Sequence, residues 1–209
     1  MNMYMQKIEN LILSESKEVK IGKYPIPDIF YIGIGKTGSS SIKKGFPNNT
    51  VAHWHDEEYF DFIYNVDILK KYNLSLFDIV DYFSIKYNKT SIIIECVRDP
   101  IEITISSVFH KIRNGNIEYK NKNQIINYIN NCNFDLSPKF TEWKKYNIDV
   151  LSEFDKEKGF FLKKSGNKIF ILLKLEFAHE WEVIFKRLGY HYVYNHSNNF
   201  KNYKNYEFL

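Results

Sequence analysis

Two runs of consecutive apolar residues punctuate the first half of the chain. Asp28 to Ile34 (DIFYIGI) lies between Pro27 and Gly35, and Ser91 to Val97 (SIIIECV) ends at Arg98-Asp99-Pro100. Short apolar runs without polar alternation predict strands buried on both faces, the habit of a parallel sheet. Thr50 to Trp54 predicts a shorter strand between them. Further on, Phe160 to Lys164 and Lys168 to Leu175 flank Ser165-Gly166-Asn167, a hairpin or tight-loop signal.

Elsewhere the apolar spacing is helical. Glu57 to Tyr72 carries Phe60, Ile63, Tyr64, Ile68 and Leu69 at helical intervals and predicts a helix. Leu74 to Tyr87 predicts a second, capped by Ser75, and Ile101 to Ile112 a third that starts beside a proline. Ser39 to Lys44 predicts a short helix stopped by Gly45 and Pro47, and Phe177 to Leu188 an amphipathic one ending at Gly189. Residues 1 to 27 read as a helical lead-in, and Gln124 to Asn130 and Phe140 to Tyr146 as short helices. The tail from Tyr190 predicts no element. No repeat or linker interrupts the chain. The expectation is one α/β domain over residues 1–209, a three-layer sandwich with a central, mostly parallel sheet. Its nucleotide-binding core would span about 28–110.

Composition narrows the classes. A 209-residue chain that is 44% hydrophobic and 26% charged is globular rather than disordered. A net charge of +4 is a mild basic excess, short of the dense Lys/Arg stripe that nucleic-acid binding needs. Cys96 and Cys132 are too few for a disulfide scaffold and too far apart for a zinc pair, which fits a reducing compartment. Near the amino terminus, Leu11 to Leu13 is too short for a signal-peptide core or a membrane span. The expectation is a cytoplasmic protein without an integral membrane segment.

The richest segment follows the first strand. Gly33-x-Gly35-Lys36-Thr37-Gly38-Ser39-Ser40-Ser41 runs into a helix start. Glycines let the backbone approach an anion, amides at a helix start point at it, Lys36 adds a full charge and the hydroxyls add donors. A Gly-Ser turn between strand and helix is the plainer alternative, and the embedded lysine argues against it. A Walker A loop needs a glycine five residues before Gly35, but Phe30 stands there. No convincing Walker B carboxylate follows, since Glu95 lies inside the second strong strand. A small P-loop kinase is therefore the weaker enzyme reading.

Lys36-Thr37-Gly38-Ser39-Ser40-Ser41 instead has the form of the loop in sulfotransferases that use 3'-phosphoadenosine 5'-phosphosulfate. The second signature of that family is a buried strand, an Arg at its end, and a Ser eight residues later. Ser91 to Val97, Arg98 and Ser106 match it. The chain thus resembles a sulfotransferase. More narrowly it resembles bacterial capsular polysaccharide synthesis proteins with a sulfotransferase-like core, through His53-Trp54-His55, Trp143, Asn147 to Val150, Phe154 to Phe160 and Leu172 to Glu176. The Gly-rich basic loop that closes over the nucleotide in many cytosolic members has no counterpart here. Lys201 and Lys204 are poor substitutes, and Lys120 to Asn123 is an alternative source of phosphate contacts.

The resemblance implies an enzyme that moves a sulfuryl group from 3'-phosphoadenosine 5'-phosphosulfate to a glycan hydroxyl, with no metal. It implies that Gly35, Lys36, Thr37, Gly38, Ser39, Ser40 and Ser41 hold the 5' side of the nucleotide and that Arg98 and Ser106 grip its 3'-phosphate. Lys36 would also stabilise the leaving oxygen. The base is expected among His55, His53 and the acidic Glu57 or Glu58; a histidine suits proton transfer near neutral pH. A hydrogen-bonded structural pair is an equal reading of His53 and His55. His110, His179, His191 and His196 are expected on surfaces or helices, and Asp99 as a helix cap. A nucleotide-binding protein of capsule assembly without turnover is the non-enzymatic alternative.

Overall fold

The computed structural model describes residues 5–10, 27–48, 51–55, 59–60, 73–118, 121–132 and 139–194. Among these described residues, six strands form one sheet in the order β3-β2-β1-β4-β6-β5. They are β1 (Ile29–Gly33), β2 (Val51–His55), β3 (Tyr59–Phe60), β4 (Ser91–Val97), β5 (Phe160–Ser165) and β6 (Lys168–Lys174). The inner four, β2, β1, β4 and β6, run parallel, and β3 and β5 pair antiparallel at the two edges. The continuous apolar runs of β1 and β4 are buried, Val97 at the end of β4 only partly, as expected for central parallel strands.

Helices lie on both faces. In chain order they are α1 (residues 5–10), α2 (Ser39–Gly45), α3 (Leu76–Lys86), α4 (Pro100–Arg113), α5 (Lys122–Asn131), α6 (Val150–Glu153) and α7 (Trp181–Arg187). One face of the sheet, with Phe30, Ile32, Ile93, Phe170 and Leu172, packs against Ile8, Phe77, Val80, Phe83 and Trp143. The other, with Tyr31, Ile92, Ile94, Ile171 and Leu173, packs against Ile42, Trp181, Ile184 and Phe185. The alternating inward positions of each strand thus feed two cores, which makes an α/β sandwich. Val108 and Phe109 of α4 form a small separate cluster with Ile125 of α5.

Several expectations shift. Tyr59–Phe60, placed in a helix from the spacing of Glu57 to Tyr72, pairs with β2 as an edge strand, with Trp54 opposite Phe60 and His55 opposite Tyr59. The rest of that helix lies outside the described residues, as do residues 1–4, 11–26 and the tail beyond Tyr194. The helix expected over Phe177 to Leu188 is two pieces. A 3-10 segment, Leu175–Glu180, has a non-helical Phe177 and precedes α7. Lys139–Tyr146 is likewise a 3-10 segment. The hairpin is present, with Gly166 at φ 58° in its two-residue turn. Its second strand is an inner strand of the main sheet rather than a separate appendage. Among the described residues, no helix is long and apolar enough to cross a membrane.

Candidate functional site

Going outward from β1, the chain passes to β2 on one side, while β4 lies on the other. In a parallel sheet such a divergence, here beyond the carboxyl ends of β1 and β4, is the usual place for a ligand crevice. The segment Gly35 to Gly38 leaves β1 on one wall, and Arg98 leaves β4 on the other.

The loop is held from below by a relay of hydroxyls. Thr37 is fully buried and its Oγ1 donates to the Ile34 carbonyl at 2.7 Å. Its one proton is spent there, so the Tyr31 hydroxyl donates to Thr37 Oγ1, also at 2.7 Å. Gly33 permits this reach, because a Cβ there would stand 2.9 Å from the Tyr31 hydroxyl oxygen. The hydroxyl of Thr37 is therefore a brace within the loop, not the outward donor expected from the sequence.

The loop is also pressed from the side. Gly38 has φ 101°, and a Cβ there would meet Leu175 Cδ1 at 2.8 Å and Trp181 Cη2 at 3.0 Å. Only glycine satisfies both the left-handed backbone and the close packing. The Gly38 carbonyl then accepts from the Ser41 and Ile42 amides at 2.9 and 3.0 Å, which opens α2. Ser39 and Ser41 are buried and Ser40 is half-buried. Lys36 is the unusual residue. A non-glycine at φ 66°, it occupies a region that costs a residue with a Cβ about 1–2 kcal/mol.

Arg98 joins the two walls. Its Nη1 donates to the Lys36 carbonyl at 3.2 Å, and its Nη2 pairs with Glu102 Oε2 at 2.8 Å. The Arg98 side chain is 15% exposed. Asp99 caps α4 as expected, accepting from the Ile101 and Glu102 amides at 2.8 and 3.2 Å, with Pro100 in the first turn. Ser106, two turns into α4, is buried, at 7% exposure.

Burial, and then the Arg113 guanidinium, lower the Lys36 ammonium to about 8. Burial, then Lys36 and Arg113, also push the His110 imidazolium down. Lys36 of the loop therefore lies within electrostatic reach of the last turn of α4. His110 lies on α4, a helix position as expected, and within that electrostatic reach. Neither it nor Arg113 stood among the expected site residues, although the phase of α4 carried a signal: Arg113 follows Ser106 by seven residues, two helical turns along the same face.

The two candidate bases differ. His53 is buried at 7% exposure, with its ring 5.4 Å from that of Tyr31 in a tilted contact. It packs under the hydroxyl relay. The backbone of His55 pairs with Gly33 at the carboxyl end of β2, and its side chain lies outside the described ones, as do Glu57 and Glu58. Among the described residues no group of three or more His, Cys, Asp or Glu is arranged to hold a metal ion.

Compared with known proteins, the chain matches no family model, no curated protein and no solved structure.

Proposed function

We propose that this chain is a sulfotransferase that moves a sulfuryl group from 3'-phosphoadenosine 5'-phosphosulfate to a hydroxyl of a glycan, of the capsular or surface polysaccharide class. One observation carries the reading. Arg98, at the end of β4, reaches the carbonyl of Lys36, in the loop after β1, at 3.2 Å. Two motifs separated by some sixty positions thus meet in one crevice, as a doubly phosphorylated nucleotide held at both ends requires. Arg98 and Ser106 would take its 3'-phosphate, Arg98 exchanging the Glu102 carboxylate for it, and the amides from Gly35 to Ser41 with Lys36 the 5' side.

In the transfer, the acceptor oxygen bonds to sulfur as the bond from sulfur to the bridging oxygen of the 5'-phosphate breaks. The base takes the acceptor's proton, and the electron pair stays on the departing phosphate oxygen, which Lys36 stabilises. Positioning and electrostatics supply most of the catalysis, as in phosphoryl transfer. We assign the base to His55, because His53 packs against Tyr31. The buried position of His53 also favours a second reading, a nucleotide-binding protein of capsule assembly without turnover. Stoichiometric nucleotide binding with no transfer to any glycan tested would select it.

The test is a thermal-shift titration with 3'-phosphoadenosine 5'-phosphate, set against ATP with magnesium. The bisphosphate should stabilise the wild type without metal, and Arg98→Ala should weaken it at least tenfold. Stabilisation by ATP with magnesium alone would replace this reading with a P-loop kinase. Wild-type affinity in Arg98→Ala would remove Arg98 from the site.

A further inference from the structure

One amide at the start of α4 is taken by a carboxylate from another element. The ladder between β4 and β6 ends with Val97 opposite Lys174, and two positions beyond it the Asp99 amide donates to Glu176 Oε1 at 3.0 Å. Asp99-x-x-Glu102 has the spacing of a capping box, in which the fourth side chain reaches back to the amide of the first residue. In α3 that box is complete: the Ser75 amide donates to Asp78 Oδ2 at 2.6 Å. In α4 only half of it forms. Asp99 Oδ1 accepts from the Glu102 amide, but the Glu102 carboxylate pairs with Arg98 Nη2 at 2.8 Å instead. The segment that carries Glu176 is anchored next door, where Leu175 Cδ1 packs against Gly38. As a cap alone Glu176 is redundant, because Glu102 has the right spacing for the same amide. What Glu176 adds is the release of Glu102 to Arg98. The Arg98 side chain is mostly buried, so this pair is better shielded from water than an ordinary surface pair.

We propose that Glu176 is a positioning residue: by occupying the Asp99 amide it keeps the Glu102 carboxylate on Arg98, where that carboxylate competes with the ligand's 3'-phosphate and sets how fast the spent nucleotide leaves. This rests on the sulfotransferase reading, in which 3'-phosphoadenosine 5'-phosphate is the product. A phosphate arriving at Arg98 displaces Glu102, but the amide that Glu102 would otherwise cap is occupied. The carboxylate therefore stays beside Arg98 and returns to it as the phosphate dissociates. A tightly held product slows turnover, and a resident competitor keeps its affinity down. Without Glu176 the Glu102 carboxylate swings to the Asp99 amide, Arg98 is left to the phosphate, and the product stays longer.

Calorimetry and stopped-flow dissociation of 3'-phosphoadenosine 5'-phosphate, on the whole chain, test this. Glu102→Gln and Glu176→Ala should each bind it about fivefold more tightly, through slower release. In Glu176→Ala the unfolding midpoint should hold, because Glu102 takes over the cap. Glu176→Gln keeps an oxygen that accepts from the Asp99 amide and should stay within about twofold of wild type. Glu176→Ala combined with Glu102→Gln should bind no more tightly than Glu102→Gln alone. Adenosine 5'-phosphate, which lacks the 3'-phosphate, should bind every variant alike. Unchanged or weaker binding of the bisphosphate in Glu176→Ala overturns the role, and so does a fall in its unfolding midpoint. Equal tightening in Glu176→Gln overturns it too, since bare charge would then be the cause. Where the wild type binds the bisphosphate and Arg98→Ala loses it, each of these failures leaves the nucleotide reading standing. A wild type that does not bind the bisphosphate removes that reading, and this role with it.

Discussion

Lys36 gathers the chemistry of the crevice into one side chain. It accepts a left-handed backbone so that its carbonyl meets Arg98, and its ammonium is lowered to about 8 by burial and by Arg113. The sign of the pH effect follows. Below pH 8 the amine is charged before a ligand arrives. Above pH 8 it is neutral in the free protein, while a bound phosphate keeps it protonated, so binding must take up a proton. Affinity for 3'-phosphoadenosine 5'-phosphate should therefore be level up to about pH 8 and fall by about tenfold per pH unit above it. Titrations at pH 7, 8, 9 and 10 check this, and a flat profile would show that Lys36 does not meet the anion. At this scale the sequence was legible in residue type and blind to environment. A lysine between glycines announces an anion. Its left-handed φ and its cationic neighbour depend on a helix more than sixty positions away. His53 shows the same limit: the His-x-His spacing says nothing about Tyr31 lying beside one ring.

Among the elements, α4 contributes most to the site, because its start follows Arg98 and its Arg113 acts electrostatically on Lys36. Its amino end is fixed locally by Asp99 and Pro100. Asp99→Ala should lower stability by about 1 kcal/mol through the lost cap. It should also weaken the bisphosphate a few-fold, since the same residue sets how Arg98 departs from β4. Chemical denaturation and calorimetry on one variant separate the two effects. A normal affinity would mean that the strand end is fixed without the cap. Elements with strong local signals were readable: β1 and β4 from unbroken apolar runs, α3 from Ser75, whose capping box is formed with Asp78, and α4 from Asp-Pro. Tyr59 and Phe60 were misread because the apolar spacing around them fits a helix, while these two residues pair antiparallel with β2. Tertiary pairing of this kind overrides local periodicity. The break at Phe177 also lacks a local cause in sequence, there being no proline or glycine to mark it.

For the whole molecule, sheet order decides whether two motifs make one site. Alternating strands and helices imply a parallel sheet, but nothing in the runs themselves says that β4 is laid beside β1 or that β6 pairs with β4. That order follows from how two cores are filled at once, each by residues drawn from both halves of the chain. A matched pair of substitutions reads out the division. Trp143 and Trp181 are both fully buried, on opposite faces of the sheet, and replacing either by Ala should cost about 3–5 kcal/mol. Only Trp181→Ala should also weaken the bisphosphate, by about tenfold, because Trp181 backs Gly38. Equal affinities in the two variants, measured well below their unfolding temperatures, would show that the loop keeps its form unaided.

That indole under Gly38 has a consequence for biosynthesis. The turn at Gly38 is translated 143 positions (181 − 38) before the indole that moulds it. A nascent chain halted before Trp181 would display the glycines and the lysine without their scaffold. If the loop binds the bisphosphate, capture should appear abruptly once Trp181 has emerged and not before, and a ribosome-stalling series scored for retention of labelled bisphosphate would locate the onset.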